Sequence, residues 1–315
     1  MTAVLIPTAS EAEWLGARRK GITASEIAVV MGLAPESYGS AYALYHQKLG
    51  NLPPMEDNLV LRIGRHNESL ACDLFAERRP EFSLEGDGRE LFAHPERPWQ
   101  MATPDREVFE ASGNYVGDTP LAVLEAKTAV SYDGWGEDGS DEIPVHYRCQ
   151  VLWQMDVLGV ETAFVACLFL HTRQLRTYEI TLDDAARKDQ RLMMYEAKAF
   201  LMRLNFGQEP DVDWRPATID ALKALHPSVE DTDIPVSAQL ASRYHAACRN
   251  AKKWEQRKKL YEAHLRERMA SGHRAVDARS GAVIARRDVF EQREHVRKAT
   301  TVDKLVPVYP KEKKQ

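Results

Sequence analysis

Asp105, Glu125 and Lys127 are the residues whose types and spacing could do chemistry. Glu125 and Lys127 stand two apart in VLEAKT, residues 123–128, an apolar run that reads as strand. Side chains alternate across a strand, so these two charges share a face and Leu124 and Ala126 take the other. Burying such charges is costly unless they are paired or bound to a metal. About twenty residues earlier, MATPDRE places Asp105 after a proline at a strand end. Asp105, a loop and then Glu125-x-Lys127 form the pattern PD…ExK. Two carboxylates from adjacent strands can hold a Mg²⁺ that also takes waters and a phosphate oxygen. A neighbouring lysine can orient the attacking water and offset phosphate charge. The competing reading is a solvated Glu-x-Lys surface pair. Asp118, in VGDTP, is a rival carboxylate, although Gly-Asp before Thr-Pro reads more simply as a turn.

These residues must be positioned by a mixed set of elements. Residues 10–50 follow a helical pattern with a turn through LAPESYGS, and 57–79 carry Leu61, Leu70, Leu74 and Phe75 at near-helical spacing. Strand-like runs follow around RELFAH, WQMATP and NYVGDTPLAVLEAKTA, separated by Gly, Pro and Asn. An Asp- and Gly-rich loop precedes a helix, HYRCQVLWQMDVLG. Two β runs, TAFVACLFL and LRTYEITL, and a helix over about 183–204 complete a core over residues 1–207. Alternating helices and strands predict an α/β class with a central mixed sheet flanked by helices. Residues 208–235 read as a connector with one short helix, and 236–315 as a basic extension. In that extension Leu240, Tyr244, Ala247, Ala251, Trp254, Tyr261 and Leu265 form an apolar seam on a long helix, with Lys258 interrupting. HRAVDARSGAVIARRDVF then reads as a hairpin turning at Ser280-Gly281.

Charge divides the chain in the same place. The net charge of −5 combines +11 over residues 236–315 with −16 over residues 1–235. A basic tail on an acidic body points equally to a contact with a polyanion or to an ordinary solvated helical surface. No apolar run is long enough to span a bilayer, and MTAVLIPTASEAEW lacks a secretory pattern. Cys72, Cys149, Cys167 and Cys248 form no CxxC pair, which fits a reducing cytoplasm and excludes a cysteine-ligated cluster nuclease.

The stretches WLGARRKGITASEIAVVMG, ALYHQKLG, GRHNESLACDLF, MATPDRE, VLEAKT and HYRCQVLWQMDVLG resemble, in order and spacing, the phage lambda exonuclease and YqaJ-type viral recombinase family. That family belongs to the PD-(D/E)xK nucleases, and the likeness runs from about Trp14 to about Leu170. It implies that Asp105 and Glu125 are metal-binding carboxylates, that the backbone carbonyl of Ala126 is a further ligand and that Lys127 is the catalytic lysine. Glu68 matches an acid that reaches the metals from a helix. Gln150 matches a helix glutamine beside the site, with Tyr147 one turn earlier on the same face. Arg18 and Ser25 match the residues that grip a terminal 5′ phosphate. The chain departs from the family in having Thr-Pro-Asp followed by Arg106 rather than Ser-Pro-Asp followed by Gly.

Each of these has a plainer reading: Glu68 as a solvent-facing helix residue, Arg18 as one of three basic residues, Ser25 as a helix cap, Gln150 and Gln154 as polar positions on a partly exposed helix. The resemblance favours the functional set. It implies a Mg²⁺-dependent exodeoxyribonuclease, with Mn²⁺ as a substitute, digesting one strand of linear duplex DNA from its 5′ end in phage or prophage recombination within a bacterial host's cytoplasm. It also implies a single-strand annealing protein as partner and a trimeric homo-oligomer. The alternative is a non-catalytic DNA-binding or scaffold protein acting through its basic extension.

Overall fold

The computed structural model describes residues 3–53, 58–111 and 119–289. The chain divides into two compact units, Met1–Pro227 and Ser228–Gln315. No helix among the described residues is long and apolar enough to cross a membrane.

Two sheets organise the first unit. One contains β1 (Val4–Ile6), β2 (Ile22–Thr23), β4 (Leu91–His94) and β5 (Arg97–Ala102), in the order β1-β4-β5-β2. The other contains β3 (Phe82–Glu85), β6 (Arg106–Glu110), β7 (Ala122–Ala129), β8 (Thr162–Phe169) and β9 (Gln174–Thr181), in that order. β7 and β8 are parallel and the other neighbours in this sheet are antiparallel. A parallel pair needs a crossover, supplied here by the segment that contains α5 (Val145–Leu158). The result is the mixed α/β architecture the sequence implies.

Alternation along β7 decides what each face meets. Leu124 and Ala126 join Phe164, Ala166 and Leu168 in a core closed by Ala71, Cys72 and Phe75 of α4 (Leu59–Arg78). Val123 packs with Val165 and Cys167 into the larger core, where Leu152, Trp153 and Met155 of α5 close the other face. Fully burying side chains such as Phe75, Leu124 and Leu152 contributes roughly 1.5–3 kcal/mol each. Glu125 and Lys127 therefore emerge on the α5 side.

The remaining helices are α1 (Glu11–Arg18), α2 (Ala24–Val30), α3 (Ala41–Leu49), α6 (Asp184–Phe206) and α7 (Pro216–Leu225). Ser10 caps α1 by accepting from Glu13 N–H, and Thr23 with Glu26 forms a capping box on α2. Gly21 precedes β2 because nothing larger fits: a Cβ there would lie 2.1 Å from the Trp99 carbonyl oxygen. β2 itself pairs in parallel with β5, so the helical pattern over residues 10–50 is interrupted by a strand. Within residues 208–235, α7 packs on α3 through Tyr42, Ala43 and Ala221. Just before it, Arg215 donates to the carbonyls of Ala34 and Gly39 at 3.1 Å.

The second unit contains α8 (Ala238–Met269) followed by a hairpin of β10 (Arg274–Val276) and β11 (Val283–Arg286). The helix runs without a break through Lys258, and the hairpin turns through Gly281, whose φ of +72° is one that glycine adopts without strain.

Candidate active site

Glu125 is only 3% exposed, and every oxygen of its carboxylate is occupied. Lys127 and Gln150 both donate to Oε1, and Gln154 donates to Oε2 at 2.6 Å. Gln150 and Gln154 are one helical turn apart on α5, so the helix presents two amides to one carboxylate. The expected sharing of a face by Glu125 and Lys127 thus takes the form of direct contact. Lys127 also lies 5.1 Å from the centre of the Tyr147 ring, and the Tyr147 hydroxyl bonds that of Tyr38 at 2.7 Å. Burial alone would lower the Lys127 pKa, but Glu125 and Asp105 outweigh it and hold the ammonium above its usual range.

Asp105 sits where β5 passes into β6. Its Oδ2 accepts from the Ala126 N–H at 2.7 Å, which fixes the turn directly against β7. Arg106 opens β6 and donates back to the Asp105 carbonyl, so the departure from Asp-Gly leaves the aspartate beside Glu125's strand. Burial pushes the Asp105 pKa well up, and the charges of Glu125 and Glu68 push it further. Glu68, on α4, is likewise raised by burial and then by Glu125. Its carboxylate lies against Gly88, where a Cβ would come within 2.7 Å of Oε1.

Arg18 ends α1. Its guanidinium donates to Ser25 Oγ at 3.0 Å and Thr23 Oγ1 at 3.3 Å, and it lies 4.2 Å from the Trp14 ring. Burial lowers its pKa, opposed only in part by Glu26, which is itself bonded to Lys48 at 2.6 Å. A half-buried guanidinium held by hydroxyls and an aromatic face has bonding capacity for an anion.

These groups meet in one cavity of about 180 Å³, lined by Trp14, Arg18, Thr23, Ser25, Thr103, Asp105, Glu125 and Gln150 among others. Lys127 and Glu68 stand behind its wall, the first against Glu125, the second against Gly88. Carboxylate and carbonyl oxygens are the donors a hard cation such as Mg²⁺ takes. Burial first, and neighbouring carboxylates after it, raise the pKa values of Asp105 and Glu68, and a bound cation would favour the ionised form of both. Donor chemistry and charge therefore fit the ion. Among the described residues, no three Asp, Glu, His or Cys groups already enclose a metal position, and Glu125 is engaged by Lys127 and the two glutamines instead.

Residues 13–161 match the sequence profile of the YqaJ-like viral recombinase domain. This stretch is a YqaJ-like viral recombinase domain. Protein YqaJ of Bacillus subtilis (strain 168), itself uncharacterised, is 28% identical over 229 residues, covering 70% of this chain and 65% of its own. The match thus spans slightly less than two thirds of that relative. An alkaline exonuclease from Laribacter hongkongensis superposes with a TM-score of 0.47 at 24% identity, over 63% of this chain and 94% of that one. A phage-related exonuclease from Haemophilus somnus 129PT gives 0.41 at 12%, over 59% and 96%. The YqaJ-like domain contains every residue of the cavity and both residues behind its wall.

Several members of this arrangement escape a reading by sequence. Gln154, read as a partly exposed polar position, is fully buried and bonds Glu125. Its spacing of four from Gln150 is the signal that could have found it. Trp14, Thr23 and Thr103 enter the cavity through tertiary packing that no local pattern announces. Asp118, the rival carboxylate, lies outside the described residues, as does most of the loop before it.

Proposed function

We propose that the chain is a metal-dependent exodeoxyribonuclease that hydrolyses one strand of linear duplex DNA from its 5′ end, in phage or prophage recombination. The observation that carries this reading is the single cavity in which the guanidinium of Arg18 and the hydroxyls of Thr23 and Ser25 face the carboxylates of Asp105 and Glu125. An anion grip and an acidic centre in one pocket suit a substrate that is a terminal phosphate followed by a scissile phosphodiester.

In this reading Arg18 and Ser25 bind the terminal 5′ phosphate and Trp14 shields the guanidinium from water. Asp105, Glu125, the Ala126 carbonyl and Glu68 would hold Mg²⁺ or Mn²⁺, which supplies Lewis-acid charge at the scissile phosphate. Lys127, kept cationic by its carboxylate neighbours, offsets charge developing on phosphorus and orients the incoming water. Gln150 and Gln154 hold Glu125 in place while Lys127 exchanges partners. Water oxygen bonds to phosphorus and the bond to the 3′ oxygen breaks, releasing a 5′-mononucleotide. The shortened strand again ends in a 5′ phosphate, the group Arg18 binds. The basic second unit binds duplex phosphates, and a single-strand annealing protein and a trimeric assembly complete the reading.

The test is release of acid-soluble nucleotides from linear and closed circular duplex DNA, with Mg²⁺ and with chelator. Release from linear DNA alone, only with Mg²⁺, is expected. Equal digestion of closed circles, or none of either, overturns the proposal.

A further inference from the structure

Beneath the anion cradle lies an ion pair that faces no substrate group. Lys48, on α3, donates to Glu26 Oε2 at 2.6 Å and to the backbone carbonyl of Arg18 at 2.8 Å. The two side chains are 3% and 20% exposed. The same oxygen of Glu26 accepts from the Thr23 N–H at 2.9 Å. One ammonium and one carboxylate thereby tie together the end of α1, the start of α2 and the end of α3. They reach Arg18 and Thr23 through the main chain, so both side chains remain directed to each other and to the cavity.

The charge count matters as much as the geometry. Arg18, half-buried, and Lys48, buried, share the influence of Glu26, which is bonded to Lys48 only, and burial lowers the pKa of each cation. Because Lys48 engages Glu26, that carboxylate does not neutralise Arg18. Remove the ammonium and Glu26, a partly buried carboxylate left without its cation, has Arg18 as its natural partner. The guanidinium would then turn from cavity to carboxylate.

We infer that Lys48 and Glu26 are a positioning pair that sets the preference for phosphorylated 5′ ends, with Lys48 occupying the carboxylate that would otherwise quench Arg18. The inference rests on the nuclease reading above, and its test separates the two. Rates on 5′-phosphorylated and 5′-hydroxyl linear duplex DNA are to be measured for the wild type, Lys48→Met, Lys48→Arg, Glu26→Gln and the Lys48→Met/Glu26→Gln double variant, with a thermal melt of each. Lys48→Met should lose about tenfold of the wild-type preference, the scale of one charge-assisted bond, mostly through KM on phosphorylated ends. The rate on hydroxyl ends should change little. The double variant, lacking the quenching charge, should regain preference, and Lys48→Arg should rescue it in part. A folded Lys48→Met protein that keeps its preference, or slows equally on both ends, overturns the inference. Should Lys48→Met fail to fold, Glu26→Gln decides: retained or increased preference supports the pair, and lost preference refutes it. A wild type indifferent to the end group overturns the nuclease reading of the cradle along with the inference.

Discussion

Gln154 donates to Oε2 of Glu125 at 2.6 Å from a side chain with no exposed surface. Its own Oε1 has no partner, and neither has the nearby hydroxyl of Thr103. An amide placed this way is defined by the anion it serves, since turning it over would aim oxygen at oxygen. Gln154→Leu keeps the volume and removes the donor. It should destabilise the fold by about 1.5–3 kcal/mol, the scale of a hydrogen bond to a charged group. Cleavage should fall at least about tenfold, because a carboxylate free to rotate is a poorer ligand and a poorer partner for Lys127. Urea unfolding and nucleotide release on the same preparation check both, and an unchanged midpoint would show that the bond contributes nothing.

Asp105→Asn should abolish cleavage and raise the melting temperature in chelator. The asparagine oxygen can still accept from Ala126 N–H, so the turn is preserved while one of three crowded negative charges disappears. Added Mg²⁺ should stabilise the wild type and leave the variant's melt unchanged. A variant stabilised by Mg²⁺ as strongly as the wild type would place the metal elsewhere.

Glu107 provides a pH test away from the cavity. Burial, then Glu90 and Glu85, raise its pKa to about 7 from an ordinary 4.5. A carboxyl that is more easily protonated when folded than when unfolded costs stability as pH rises between those two values and beyond. Glu107→Gln should therefore leave stability unchanged near pH 4 and raise it at pH 8. Melting curves across that range would show the variant gaining on the wild type through the window. Parallel curves would mean that Glu107 is solvated.

Removing residues 236–315 should weaken binding to duplex DNA and flatten its salt dependence. The segment carries an excess of eleven positive charges on an otherwise acidic chain. Every lysine or arginine that neutralises a phosphate releases a counterion, so a protein with fewer of them responds less to salt. Along α8, Arg249, Lys252, Lys253, Arg257 and Lys259 are the residues to test singly, with Arg257 stacked 5.0 Å from the Trp254 ring. Equal slopes of log affinity against log salt for full-length and shortened protein would show that this segment does not touch DNA.

The chemistry of the site is legible where it follows a short period. Glu125 and Lys127 share a face because strands alternate, and Asp105 after Pro104 marks a strand end. Glu68 is different: nothing local ties a glutamate on α4 to a strand that begins more than fifty residues later, and only the family pattern selects it. Gln154 is obscure because α5 is apolar nearly all round, so a polar residue there looks like the exposed edge of the helix. β3 and β6 are hidden for the opposite reason. FSLE and REVFE are short and half polar, and they become strands by pairing with each other, Leu84 opposite Val108. α7 is the one short helix expected within residues 208–235, but its docking on residues 32–40 through Arg215 and Thr218 follows no local pattern.

Three residues, Thr103, Pro104 and Asp105, carry the chain from β5 in one sheet to β6 in the other. Thr23 of the cradle belongs to the first sheet and Glu125 to the second. The short link and the packing of α5 on strands of both sheets connect these two sides of the cavity. Under the proposed activity, a strand end seated at Arg18 would present the same bond to Glu125 at every round, and the gap between the two sheets would then set the length of each released piece.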